Sequence, residues 1–224
     1  LMMRILENAA QKIRKFNDLR PYGDPEDYND VLRAREGEKS LVDTYGNVSN
    51  QSIERIEKAL RGYLKMNRRG LMGRKEEFVK KLGNKLASDK TKKILARLRD
   101  VDIISPNLGD YKSDVKELYE SLSKRNEGLS ADGSSFCVGT TKVIHCLLPE
   151  LFVMLDSHVG ENVLNYSPGQ YNNFVSYWKV MEICRDELLE WQKLYGSIGS
   201  LLSLDSEPTS LTRIFDKCAL FTKP

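Results

Sequence analysis

The chain has 224 residues, of which 40% are hydrophobic and 30% are charged, proportions typical of a folded globular protein. No apolar run approaches the ~20 residues that a membrane-spanning helix needs, and no signal peptide is visible, so we expect a cytoplasmic protein with no membrane partner. The length suits a single globular unit over residues 1–224, either one large domain or two small lobes.

Apolar residues recur at helical spacing along the whole chain. A first helix is predicted over 2–19, before the turn-forming segment 20–25, and a short one over 26–35. Ser49 or Ser52 is predicted to cap a stronger helix. Further helices are predicted over 74–86, 90–101, 110–125, in the segment after residue 139, over 167–194 and from 207 onward. We find no strand pair and no repeat, so the predicted class is all-α.

Charge is distributed unevenly along the chain. The net charge is only +3, but residues 54–99 carry 16 Lys and Arg against 5 Asp and Glu, a balance of +11. Such a basic block indicates binding to a phosphate backbone, although a solvated, lysine-rich helical surface has the same composition. The candidates for contact with nucleic acid are a glycine-bearing loop with its flanks and a cationic helix face. They are Arg68, Arg69, Arg74, Lys75, Lys92 and Lys93.

Cysteine and histidine usage argues against a metal centre. The four cysteines are widely spaced and form no C-x-x-C pair, so we expect free, mostly buried thiols. Only two histidines are present, so no zinc site is predicted, and we expect no cofactor.

The segment 137–159 concentrates the residues that could carry chemistry. Gly139 is predicted to form a turn, with Thr140 or Thr141 capping the apolar helix that follows and Lys142 in its first turn. Asp156 comes directly after a second apolar run, which places its carboxylate at the rim of the core. A lysine and an aspartate held on a buried scaffold could be catalytic or could form a plain ion pair.

Two strings within this segment resemble the helix-hairpin-helix DNA glycosylase superfamily, which includes endonuclease III and the 8-oxoguanine glycosylases. They are Val138-Gly139-Thr140-Thr141-Lys142-Val143 and Val153-Met154-Leu155-Asp156-Ser157-His158-Val159. The resemblance implies two helical lobes, about 49–125 and 1–48 plus 126–224, with double-stranded DNA bound across the cleft between them.

The same resemblance implies roles for individual residues. Asp156 would be the catalytic carboxylate, and Lys142 would attack the sugar carbon in an enzyme that is also a lyase. The residues around them would hold the DNA, with backbone N–H groups of the hairpin on a phosphate. These are Val138, Gly139, Thr140, Thr141 and His158. The implied function is excision of damaged bases from DNA.

Each of these residues also has a structural interpretation. Lys142 could be a surface lysine, and Asp156 could cap a helix that begins near Ser157. His158 could be structural, and His145 is expected to be a hydrogen-bonded core histidine. At the level of function, the alternatives are a non-catalytic helical protein that binds nucleic acid through the basic block, and a helical interaction or small-molecule module unrelated to nucleic acid.

Overall fold

The computed structural model describes residues 4–35, 40–66, 70–167 and 169–222. Within these ranges the secondary structure is entirely helical, with no strand, which confirms the all-α prediction. None of the helices described is long and apolar enough to cross a bilayer. One short 3-10 helix occupies Leu108–Tyr111. The α-helices are α1 (Ala9–Leu19), α2 (Glu26–Arg33), α3 (Asn50–Arg61), α4 (Lys75–Leu86), α5 (Asp89–Leu98), α6 (Lys112–Ser123), α7 (Cys137–Leu147), α8 (Ser157–Leu164), α9 (Phe174–Tyr195), α10 (Gly199–Leu202) and α11 (Leu211–Ala219).

Two groups of helices share one core. Helix α7 packs against α3 and α6; α3 also contacts α2 and α4, and α5 contacts α4 and α6. Helix α11 packs against α1, α8, α9 and α10. Helices α6 and α9 are in contact, and a continuous cluster of buried apolar side chains runs through both groups. Residues of α7, α11, the start of α8 and the segment after α3 meet around one small cavity.

Side-chain caps explain where several helices begin. The Ser49 hydroxyl accepts a hydrogen bond from the N–H of Ser52, so the predicted cap of α3 is confirmed. The prediction that a helix starts at residue 167 was wrong, because Asn173 caps α9 at Phe174 instead. Ser210 similarly caps α11. In both late helices the cap stands immediately before the apolar run that the helix buries.

The start of α7 differs from the predicted hairpin. The helix begins at Cys137, so Gly139 lies in its first turn with an ordinary helical backbone and not in a separate turn. Thr140 and Thr141 lie within the helix and do not cap it, and Lys142 lies in the second turn. The glycine is required by packing, since a Cβ at this position would lie 2.3 Å from the ring of Phe136. The ring of the residue before α7 therefore packs directly against the Cα of Gly139.

The four cysteines are unpaired, as predicted, and three of them are buried. Three aromatic side chains in the first two turns of α9 also lie in the core. Phe174 and Trp178 are buried, and so is Tyr177.

Candidate active site

The chain reverses after α7, and residues 148–156 run back along this helix. Two side chains of α7 hold this returning segment in place. The Nδ1 of His145 lies 2.6 Å from the carbonyl oxygen of Phe152. The hydroxyl of Thr141 accepts a 3.0 Å hydrogen bond from the N–H of Leu155. These contacts bring residue 156 back beside the first half of α7, although 14 residues separate it from Lys142.

His145 has the structural role that the sequence indicated. The ring is fully buried, and because a carbonyl oxygen can only accept, Nδ1 carries the proton. Nε2 then accepts from the hydroxyl of Tyr28, 2.6 Å away. Burial lowers the pKa of His145 to about 3, so the ring is neutral at physiological pH.

Asp156 ends the returning segment and begins α8. One carboxylate oxygen accepts a 3.2 Å hydrogen bond from the N–H of Val159, so Asp156 is the cap of α8. The other oxygen accepts from the hydroxyl of Tyr22 at 3.3 Å. The side chain is only partly buried. Capping uses one oxygen and leaves the other bound, among the described residues, only by the hydroxyl of Tyr22, so the cap and a chemical role are compatible.

Lys142 is buried rather than on the surface. Only 8% of the residue is exposed, and its Nζ donates a 2.9 Å hydrogen bond to the carbonyl oxygen of Leu64, just beyond the end of α3. No ion pair joins it to any described carboxylate within 4.0 Å. The interpretation as a surface lysine was therefore wrong.

Lys142 and Asp156 line one small cavity. Its volume is about 10 Å³, enough for about one water molecule. A second carboxylate, Asp216 of α11, lies in the same wall, and it is paired with the buried guanidinium of Arg213. The full lining consists of Tyr22, Leu64, Lys142, Met154, Asp156, Arg213 and Asp216.

Aromatic rings hold the arginine in position. The guanidinium lies 5.0 to 5.4 Å from the ring centres of Phe16, Tyr28 and Tyr63. Its Nη2 also donates a 2.5 Å hydrogen bond to the hydroxyl of Tyr63. An arginine enclosed in this way provides a fixed positive charge that keeps Asp216 in place.

Burial favours the neutral forms of Lys142 and Asp216. It lowers the pKa of Lys142 below its usual value, although the nearby carboxylates of Asp156 and Asp216 oppose the shift. It raises the pKa of Asp216 to about 6, with Arg213 opposing. A lysine that loses its proton more readily beside a carboxyl group that gains one is the arrangement that a nucleophilic amine needs.

Tyr22 closes the cavity from the loop between α1 and α2. Its half-buried ring packs edge-on against Tyr63, with ring centres 5.8 Å apart, and its hydroxyl holds Asp156. Tyr22 is therefore a candidate gate between Lys142 and the solvent.

The other predicted site residues of the motif do not join this cavity. Thr140 and Thr141 are buried within α7, and His158 is exposed in the first turn of α8. Val138 and Gly139 line a separate groove of about 500 Å³ that also contains Phe136.

The residues predicted to bind phosphates are distributed over α4 and α5. Arg74 and Lys93 are exposed, and Arg74 forms an ion pair with Glu77. Lys75 and Lys92 line one groove of about 660 Å³ between α3, α4 and α5. Arg68 and Arg69 lie outside the described residues. Part of the basic block is neutralised by ion pairs with α2 and α6. These pairs are Arg55–Asp30, Lys58–Asp27, Lys90–Glu117 and Arg97–Asp114.

Sequence reasoning missed Asp216, Arg213 and Tyr22. A signal existed for the first two, because they are the acidic and basic members of an i, i+3 pair within the mostly apolar helix α11. Nothing in the sequence around Tyr22 distinguishes it from other loop tyrosines.

Comparisons with known proteins add no relative, since no family model, no curated protein and no solved structure matches the chain.

Proposed function

We propose that the protein excises damaged bases from DNA, as an N-glycosylase with associated lyase activity. The observation that carries the proposal is the shared cavity of Lys142 and Asp156, two residues that the sequence singled out and that the returning segment brings together. The proposal includes a two-lobed arrangement of the helices with DNA bound across a cleft.

The roles follow from the chemistry of the bond. The target nucleotide must leave the DNA stack to reach a buried amine. The neutral Nζ of Lys142 forms a bond to the sugar carbon while the glycosidic bond breaks and its electron pair leaves with the base. Positive charge develops on the sugar, and the carboxylate of Asp156 stabilises it. The proton that Lys142 gives up passes through a neighbouring carboxylate to the departing base. The nitrogen lone pair then opens the sugar ring, whose oxygen takes up a proton from solvent, and the resulting imine is the species that borohydride reduces.

Borohydride trapping tests the proposal. Duplex oligonucleotides bearing a panel of damaged bases, and one bearing an abasic site, are incubated with the protein and reduced. The expected result is a covalent adduct with the wild-type chain and with Lys81→Gln, and none with Lys142→Gln. Lys81 is a matched control, because its Nζ also donates to a backbone carbonyl, that of Ser130 at 2.8 Å, but outside the cavity. The absence of both excision and adduct across the panel would contradict the proposal.

A second candidate function is nucleic-acid binding without catalysis, through the basic block 54–99. Two observations favour it: the catalytic cavity is almost closed, whereas the lysine-lined groove is large. In that case Asp156→Asn retains DNA affinity, and reversing the charges of Lys92 and Lys93 abolishes it.

A further inference from the structure

Tyr45 is held in the solvent at the tip of a closed turn. The residue is 79% exposed, the most exposed of the large apolar side chains among the described residues. The turn, residues 43–47, is organised by one carboxylate: Asp43 accepts from the N–H groups of Tyr45 and Asn47, both at 2.8 Å, and from the side-chain amide of Asn47 at 2.9 Å. A backbone hydrogen bond of 3.0 Å from Gly46 to Asp43 completes it.

The turn is also seated firmly on α5. Gly46 has a φ of +81°, and a Cβ there would lie 1.9 Å from the carbonyl oxygen of Lys92. Only glycine permits both this backbone and this approach. The base of the turn is therefore fixed to a helix, which leaves the ring of Tyr45 as a pre-organised, exposed aromatic surface.

The turn borders the large groove. Asn47 forms part of its wall, and three lysines line it, Lys75, Lys80 and Lys92. None of the three lysines makes an ion pair of 4.0 Å or less with a described residue. Two acidic residues, Glu54 and Glu76, also lie on the lining, so the lysines leave it with a net positive charge.

We propose that Tyr45 stacks on an unpaired base of a DNA strand whose phosphates are bound by the lysines of this groove. The proposal rests on the nucleic-acid partner of the proposed function. Exposed aromatic rings beside a positively charged groove are the features by which proteins bind single strands. Amide side chains in the lining, such as Asn84, can hydrogen-bond the edges of bases.

The groove and the catalytic cavity lie toward opposite ends of α3. Ile53, in the first turn, lines the groove, whereas Leu64, beyond the last turn, lines the cavity. The 12 residues of α3 span about 18 Å, so the groove and the cavity are separate parts of the surface. Tyr45 would thus engage the strand at a distance from the excised base.

Fluorescence anisotropy with two labelled probes tests the proposal: a 12-nucleotide oligo-dT and an abasic oligomer of the same length, which has the phosphates but no bases. Tyr45→Ala is expected to weaken oligo-dT binding about five-fold or more while leaving the abasic oligomer unaffected. Tyr45→Phe retains the affinity. Lys92→Gln weakens the binding of both probes. Tyr195→Ala, at an exposed tyrosine of α9, is the matched control and changes neither.

Equal effects of Tyr45→Ala on the two probes, or no binding of oligo-dT even at low salt, would overturn the stacking role. Borohydride trapping on abasic DNA at saturating protein separates this failure from that of the proposed function. If the adduct forms normally but Tyr45→Ala does not weaken oligo-dT binding, only the stacking role is overturned. A Tyr45 effect without any adduct or excision overturns only the glycosylase proposal.

Discussion

The ammonium group of Lys142 is fastened to the carbonyl oxygen of Leu64 by a 2.9 Å hydrogen bond, across 78 residues of sequence. The lysine thereby joins α7 to the segment that follows α3. Its amine nevertheless lies in the wall of the cavity that holds Asp156 and Asp216. One residue thus connects the packing of the fold to its candidate chemistry.

Removing the side chain that closes the cavity should expose this amine. In Tyr22→Ala we expect Lys142 to react faster with formaldehyde and cyanoborohydride, because the ring that excludes the reagent is absent. Peptide mass spectrometry measures the methylation. Lys217 serves as an internal control, since it is buried beside Asp205 away from this cavity and should stay unmodified in both proteins. Unchanged labelling of Lys142 would show that Tyr22 does not control access.

The buried histidine should make the protein sensitive to acid. The folded-state pKa of His145 is about 3, below the ordinary value of 6.5 in the unfolded chain. Its contribution to stability is therefore complete above pH 6.5 and is lost as the pH falls toward 3, at up to about 1.4 kcal/mol per pH unit.

Asp216 acts in the opposite direction over part of this range, because its raised pKa favours the folded state as the pH falls from about 6 to 4. The contribution of His145 is therefore isolated by comparing variants in urea titrations at several pH values. We expect His145→Gln to be less stable than wild type at pH 7 and to lose less stability on acidification. The exposed His158→Gln should follow the wild-type curve, and a wild-type slope in His145→Gln would contradict this account.

Breaking the buried ion pair should strongly destabilise the fold. Asp216→Asn leaves the guanidinium of Arg213 enclosed by aromatic rings without a counter-charge, and we expect a loss of about 3 to 5 kcal/mol in the free energy of unfolding. Denaturant titration at neutral pH measures it. Glu77→Gln removes the partner of the exposed Arg74 and should leave the midpoint unchanged. Similar effects of the two changes would argue against a buried pair.

Two helical glycines provide a matched test of the start of α7. Gly139→Ala forces a Cβ against the ring of Phe136, and we expect a loss of about 1 to 3 kcal/mol. Gly83→Ala in α4 meets only Ile53, at 3.6 Å, so it should stabilise the protein by about 0.5 to 1 kcal/mol through helix propensity. Thermal melts compare them. A neutral effect of Gly139→Ala would mean that the glycine is not required by packing.

Nucleic-acid binding by the basic block should respond to salt and to single lysines. Lys92→Gln and Lys93→Gln are each expected to weaken DNA binding and to reduce the slope of log affinity against log salt by about 1. Lys193→Gln, on the exposed end of α9, is the control of equal charge change. Affinity that is independent of salt would contradict the predicted role of the basic block.

The sequence by itself determined the all-helical class and the positions of most helices. This was possible because apolar spacing and capping residues such as Ser49 depend only on neighbouring residues. It also provided the helix-cap alternative for Asp156 and the interpretation of His145 as a core histidine, since neighbouring residues suffice for both. The sequence placed Gly139 in a turn before α7, whereas this residue lies inside the helix. A sequence does not show that the ring of Phe136 fills the space beside the glycine.

Only the tertiary structure decided what surrounds Lys142. Its carbonyl partner is 78 residues away, and Asp216 and Tyr22 reach the cavity from near the two ends of the chain. The burial that lowers the pKa of Lys142 and raises that of Asp216 is a property of all these elements packed together. Local sequence patterns carry no information about such distant contacts, so the composition of the cavity follows from the packing of the helices.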